Sequence, residues 1–281
     1  MESLVSTEWL ANHLNHPDCI ILDASSHLPT AERDAAAEFA NAHIPGARFL
    51  DLASLTDKDS PVPHALANAD QVAQRLSALG VGQDSTVILY DDSIVKTSAR
   101  AWFNLRMHGM KKCAILDGGL GKWRSEGRAL EDGEAPVMAA DFTPQPGDGS
   151  IRSKGDILRN CASGSEQLLD ARDAGRFSGE IPDFRPGVAS GHIPGSRNLP
   201  FTEVYNDNGT FKSPTELRRV FEQAGIDLAK PLITTCGSGV TASVLLFAAH
   251  LMGKGNVALY DGSWSEWAVD PETPKATGAA A

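Results

Sequence analysis

Apolar residues along the chain fall into two alternating patterns. Short runs at Ile20 to Asp23, Thr86 to Tyr90, Ala114 to Leu116, Gln167 to Asp170, Leu232 to Thr235 and Val257 to Tyr260 have the length and composition of buried strands. Longer stretches rich in helix formers lie between them: Ala67 to Leu79, Ser98 to Met107, Pro214 to Gln223, and Thr241 to Met252, which stops at Gly253. Strands alternating with helices predict an α/β fold built on a mainly parallel sheet flanked by helices. Ligands in such folds collect beyond the carboxyl ends of the strands.

The same landmarks occur twice. Ile21-Leu22-Asp23-Ala24 is echoed by Leu168-Leu169-Asp170-Ala171. His43-Ile44-Pro45-Gly46-Ala47-Arg48 returns as His192-Ile193-Pro194-Gly195-Ser196-Arg197, and Leu116-Asp117-Gly118-Gly119 as Tyr260-Asp261-Gly262-Ser263. Three landmarks in one order at a domain-sized period mean that one fold is duplicated, since solenoid repeats are far shorter. A stretch rich in Gly, Pro, Ala and acidic residues begins near Glu131, so the expected domains are 1–135 and 151–281, with 136–150 as linker.

Composition narrows the partners. Twenty-five basic against 36 acidic residues give a formal charge of −11, which argues against a nucleic-acid or anionic-membrane partner. An anionic substrate therefore needs a locally positive pocket. Neither a membrane span nor a basic or apolar leader is visible, and the expected compartment is the cytoplasm. Cys19, Cys113, Cys161 and Cys236 form no Cys-x-x-Cys pair and the eight histidines no metal-binding spacing, so neither a disulfide framework, nor a metal site, nor a cofactor is implied.

Chemistry concentrates at Leu232-Ile233-Thr234-Thr235-Cys236-Gly237-Ser238-Gly239-Val240-Thr241-Ala242. A strand running through a glycine-containing loop into a helix N-terminus aims free backbone N–H groups and the positive end of the helix dipole at one point. A thiol there ionises more readily than a free cysteine. An ordinary cysteine packs as a small apolar group, but Gly237 and Gly239 let the backbone curl around an anion, which a core strand does not need. A phosphatase loop would close with an arginine where this chain has Ala242. No Gly-x-Gly-x-x-Gly follows an early strand, which argues against a dinucleotide enzyme.

The two His-Ile-Pro-Gly copies, the paired Asp-Gly-x-x-x-x-Trp segments (Asp117 to Trp123, Asp261 to Trp267) and the loop Cys236 to Ala242 resemble the tandem rhodanese-type sulfurtransferases from about Val5 to Trp267. The loop is similar to the form carried by members that use 3-mercaptopyruvate; thiosulfate-using members more typically have Arg and Lys in place of Gly237 and Ser238. The resemblance implies two tandem rhodanese-like domains, a persulfide on Cys236, release of pyruvate, and sulfur passed to cyanide or to a thiol acceptor, a small thiol or a thioredoxin-like protein. It also implies a catalytically silent first half, because aligning Val87 to Tyr90 on Leu232 to Thr235 puts Asp91 at the nucleophile's place. The alternatives are a thiosulfate:cyanide sulfurtransferase and a non-catalytic sulfur carrier.

Further residues follow from the same resemblance. Arg176 and Arg185 match the family's substrate-binding arginines, with the amides of Gly237, Gly239, Val240, Thr241 and Ala242 as the anion cradle. Ser238 is the expected proton relay, with His64 after Ser60-Pro61-Val62-Pro63 reaching toward it. The acid of that relay departs from the pattern: some members carry it at the position of Ala53, so either Asp51 substitutes or the relay is incomplete. His43, His192, Arg48 and Arg197 repeat in both halves and are read as structural. Trp123 and Trp267 read as core or interface anchors, and Trp264, present in one copy alone, as a pocket wall.

Overall fold

The computed structural model describes residues 1–279 except Asn15 and Ala135. The chain divides into two compact units. The first comprises Met1–Asp57, Leu66–Gly149 and Asp207–Phe211; the second comprises Lys58–Ala65, Ser150–Asn206 and Lys212–Ala281.

Unit 1 holds strands β1 (Leu4–Val5), β2 (Cys19–Asp23), β3 (Ala47–Phe49), β4 (Thr86–Tyr90) and β5 (Cys113–Leu116). Its helices are α1 (Thr7–Ala11), α2 (Ala35–Asn41), α3 (Ala69–Ala78), α4 (Ser98–Met107) and α5 (Gly119–Ser125). Unit 2 repeats the plan with β6 (Ile151–Arg152), β7 (Gln167–Asp170), β8 (Ser196–Asn198), β9 (Leu232–Thr235) and β10 (Val257–Tyr260). Around them stand α6 (Lys154–Ser163), α7 (Ala174–Ser178), α8 (Pro214–Gln223), α9 (Val240–Leu251) and α10 (Ser263–Trp267).

Each sheet has five strands, in the orders β1-β5-β4-β2-β3 and β6-β10-β9-β7-β8, and every strand pairing is parallel. The two-domain α/β reading therefore holds. The central strands appear as contiguous apolar runs because both their faces are covered. In each sheet the chain leaves the second strand toward one edge and returns on its other side. This reversal opens a crevice between the carboxyl ends of β2 and β4 in unit 1, and of β7 and β9 in unit 2. Cys236 follows β9 directly, and Asp91 follows β4 at the matching place.

Helix α9 is buried from Ala242 through Ala249, so it is a core helix with no solvent face to its central turns. Helices α3, α6 and α8 start with capping boxes at Asn68, Ser153 and Ser213. The repeated histidines are structural, as expected. His43 Nδ1 bonds Phe39 O at 2.7 Å and stacks on the Phe39 ring; His192 Nδ1 bonds Phe177 O at 2.8 Å and stacks on Phe177. Both are buried. Arg48 donates to Leu79 O, at the carboxyl end of α3.

The stretch expected as a linker is packed chain through Gly149, counted with unit 1. Ala140 N donates to Ser77 O at 3.0 Å, Gln145 N to His108 O at 3.0 Å, and Phe142 is buried. Its Pro and Gly content prevents regular structure without preventing adhesion.

Trp267 is fully buried in the unit 2 core, edge-on to Tyr260 at 6.3 Å, with its indole N–H on Pro274 O at 2.8 Å. Replacement Trp267→Ala is expected to cost about 3–5 kcal/mol in urea unfolding. A loss below about 1 kcal/mol would show that the ring does not anchor this core.

Candidate functional site

The site is built from the carboxyl end of β9, the loop 236–239 and the first turn of α9. Gly239, at φ +79, is the residue before the helix, a conformation that side chains with a Cβ rarely adopt. Gly237 has no such backbone need. A Cβ there would lie 3.6 Å from Arg185 Nη2, an ordinary van der Waals contact, so the guanidinium lies directly beside this position. The first amide of the helix to find a backbone acceptor is that of Ser243, donating to Gly239 O at 3.2 Å. The amides of Gly237, Ser238, Gly239, Val240, Thr241 and Ala242 precede it, and among the described residues none donates to a protein acceptor. Six unused donors and the positive end of a twelve-residue helix therefore surround one short loop.

Cys236 is 2% exposed and so lies at the floor of the crevice. Its backbone is held on both sides: Cys236 N donates to Ser263 Oγ at 3.2 Å, and Trp264 N donates to Cys236 O at 3.0 Å. Ser263 takes φ +50 to do so, and passes its own hydroxyl proton to Tyr260 O at 2.8 Å. In unit 1 the matching residue is Gly119, at φ +56, where a Cβ would meet Asp91 O at 2.5 Å. A left-handed residue at this corner thus serves both units, and unit 2 uses a serine that reaches the Cys236 amide.

The two arginines come together. Arg185 Nη1 donates to Gly237 O at 3.2 Å and also to Ser265 Oγ, while Nε and Nη2 grip Asp183 at 2.8 and 2.7 Å. Burial alone would raise the Asp183 carboxyl, but the Arg185 N–H groups and charge override it and hold the pKa below the ordinary value. Arg176 sits on α7 with its Nε on Asp173, and its guanidinium lies 5.9 Å from the Phe184 ring, which Arg185 approaches from 5.4 Å. Both guanidiniums therefore flank one half-exposed phenyl ring beside the cysteine loop.

The relay residues are distributed differently. Ser238 is partly buried in the loop, and its hydroxyl has no protein partner among the described residues. His64 is exposed at φ +58, in the segment 58–65 that clusters with unit 2. Asp51 belongs to unit 1 and has local work. Its carboxylate accepts Ala53 N at 3.0 Å, capping the 3₁₀ turn Leu52–Leu55.

One residue escaped the sequence reading. Arg172, two residues beyond the end of β7, is 2% exposed and clamps Asp170 through Nε at 3.0 Å and Nη2 at 2.6 Å. Burial would lower its pKa, but Asp170 outweighs that and raises it, and Cys236 and Asp183 add to the effect. The signal was present in the repeat: Asp170-Ala171-Arg172 stands against Asp23-Ala24-Ser25.

Unit 1 shows the same cradle filled from within. Asp91 Oδ1 accepts Ser93 N at 2.9 Å and Oδ2 accepts Ser98 N at 2.8 Å, so a carboxylate occupies the place before α4 that the thiol takes before α9.

Comparison with known proteins agrees with this geometry. The rhodanese-like domain model matches residues 6–126 and again 153–270. The chain belongs to the rhodanese family. It is 42% identical over 271 residues to the mouse 3-mercaptopyruvate sulfurtransferase, covering 94% of this chain and 91% of that one. The Escherichia coli K12 3-mercaptopyruvate sulfurtransferase is 40% identical over 271 residues, 96% of each chain. The crystal structure of the Escherichia coli 3-mercaptopyruvate sulfurtransferase SseA superposes with a TM-score of 0.85 at 38% identity, covering 95% of this chain and all of that one.

Asp23, the counterpart of Asp170 without an arginine, has its carboxyl pKa raised to about 6. Burial is the main cause, opposed by hydrogen bonds from Ser25 and Tyr90 and reinforced by the Asp91 charge. The folded chain holds this proton more tightly than the unfolded one, so the stability it gives is complete near pH 4 and lost as pH rises through about 6. Asp23→Asn is expected to remove on the order of 2 kcal/mol of pH dependence between pH 4 and 7 in urea titrations. An unchanged slope would contradict the assignment.

Proposed function

We propose that the chain is a sulfurtransferase that takes the sulfur of 3-mercaptopyruvate onto Cys236 and passes it to a thiol or cyanide acceptor. The observation that carries this reading is a cysteine at the mouth of six unused amides, with Arg185 tied to the carbonyl of the next residue. A thiolate is the effective nucleophile. Attack by Cys236 Sγ on the substrate sulfur forms the S–S bond and breaks the bond from sulfur to C3. The electron pair leaves on the pyruvate fragment as an enolate, which takes a proton at C3. The resulting persulfide is also an anion, and the same amides stabilise it before an acceptor thiolate attacks its outer sulfur.

Arg176 and Arg185 bind the carboxylate and keto oxygen of the substrate. Planar guanidiniums suit such a pair of oxygens better than an ammonium group. Ser238 moves the proton, its hydroxyl unclaimed by protein, with His64 assisting. Mercaptopyruvate is favoured over thiosulfate by the loop itself, which carries Gly237 and Ser238 where thiosulfate-using members more typically have Arg and Lys.

The acceptor is a small thiol or a thioredoxin-like protein, and the compartment is the reducing cytoplasm. All four cysteines are unpaired, and no helix among the described residues is long and apolar enough to cross a membrane.

Brief exposure to 3-mercaptopyruvate is expected to add one sulfur atom to the intact protein, with release of one pyruvate, and Cys236→Ser is expected to abolish both. A sulfur found on another cysteine, or pyruvate released by Cys236→Ser at the original rate, would overturn the reading. Arg185→Ala is expected to raise the KM for mercaptopyruvate about tenfold or more, the worth of one charge-assisted hydrogen bond, while iodoacetamide still alkylates Cys236 at close to the original rate. Equal effects on both would remove Arg185 from substrate binding.

A further inference from the structure

The two units part company at one buried position beside the nucleophile. Asp170 and Asp23 end matching strands, and each accepts the amide two residues on, from Arg172 N at 3.0 Å and Ser25 N at 2.8 Å. In unit 2 the side chain on that amide is a guanidinium; in unit 1 it is a hydroxyl that accepts Asp92 N at 2.9 Å. A second difference accompanies the first. Trp264 stands where unit 1 has Leu120, and the Arg172 guanidinium carbon lies 4.7 Å from the centre of the Trp264 ring.

Arg172 is fixed from several directions. Asp170 takes Nε and Nη2, Gly191 O accepts Nη2 at 2.9 Å, and the Trp264 ring lies against its face. Trp264 is held in turn, its indole N–H on Ala189 O at 2.9 Å, and its own amide bonds Cys236 O. Nη1 is the remaining nitrogen of the guanidinium, and it has no protein acceptor among the described residues. A buried cation locked by a carboxylate, with one nitrogen left over and its face on the tryptophan whose amide holds the Cys236 carbonyl, has more than a packing role.

We propose that Arg172 is a positioning residue that supplies the fixed positive charge for the sulfur anion of Cys236, as thiolate and as persulfide. The proposal rests on Cys236 being the nucleophile. Its logic is the difference between the two acids that occupy the cradle. Unit 1 places a carboxylate there, held by amides alone, whereas a free thiol is a far weaker acid than a carboxylic acid and needs more help to carry a charge. The unit that carries the thiol is the one that carries the arginine. Asp170 makes the burial of that charge tolerable, and the stacking on Trp264 keeps the guanidinium from turning away.

Other charged groups stand on the elements packed around the loop. Asp173 with Arg176 and Asp183 with Arg185 are paired, and Glu266 accepts the Tyr260 hydroxyl at 2.9 Å; Asp261 follows β10, and His250 lies at the far end of α9. Arg172 differs from Arg176 and Arg185 in being almost fully buried, so solvent screens it least.

The test is the pH dependence of Cys236 alkylation by iodoacetamide in the full-length protein, read by peptide mass spectrometry. The variants are Arg172→Gln, Arg172→Lys and the paired Asp170→Asn/Arg172→Gln, which leaves no unpaired buried charge. In the paired variant the midpoint is expected to move up by about one pH unit, with alkylation at pH 7 slowed about tenfold; Arg172→Lys is expected to restore most of the shift. Mercaptopyruvate kcat is expected to fall with the alkylation rate while KM changes less. An unmoved midpoint in a folded paired variant would overturn the proposal, as would Arg172→Lys behaving like Arg172→Gln. Failure of the wild-type protein to form a persulfide on Cys236 would instead overturn the proposed function, so the two failures are distinguishable.

Discussion

The amides that α9 leaves unused ahead of Ser243 are the constraint on which the site depends. A helix cannot satisfy its first donors from within, and here six of them come at the end of a buried strand, in a crevice that the parallel topology opens. An anion at that point completes the hydrogen bonding of the helix. Around this need the unit arranges a left-handed Ser263 to hold the Cys236 amide, Gly239 to turn the chain, and Arg185 on the Gly237 carbonyl. The site is a solution to a backbone problem before it is a catalytic device.

The duplicated fold carries its own control. Unit 1 keeps the sheet order, the left-handed corner and the helix start, and fills the cradle with the Asp91 carboxylate on Ser93 N and Ser98 N. What it lacks is the cysteine, the arginine after the second strand and the tryptophan that stacks on it. The residues shared by the two units are therefore those of architecture, including the histidines stacked on Phe39 and Phe177 and the core residues Trp123 and Trp267. The residues that differ mark the chemistry.

That distinction explains what the sequence made legible. The long central strands β2, β4, β5, β7, β9 and β10 and the helices α3, α4, α8 and α9 were readable because burial on both faces, or along a stripe, writes itself as uninterrupted or periodic apolar runs. The edge strands β1, β3, β6 and β8 were not. They are two or three residues long, and segments such as Ala47-Arg48-Phe49 and Ser196-Arg197-Asn198 carry polar side chains that give no strand period. Cys236 announced itself through its loop. Arg172 did not, because a charged residue two positions from Asp170 reads in sequence like any surface pair; only its replacement by Ser25 in the other copy distinguishes it.

The most direct test of the central claim is a crystal structure of the protein trapped after brief reaction with 3-mercaptopyruvate. The account predicts a second sulfur bonded to Cys236 Sγ, within hydrogen-bonding distance of several backbone nitrogens between Gly237 and Ala242. A persulfide turned away from those nitrogens, or the loop amides found bonded to protein carbonyls while the sulfur is carried elsewhere, would contradict it.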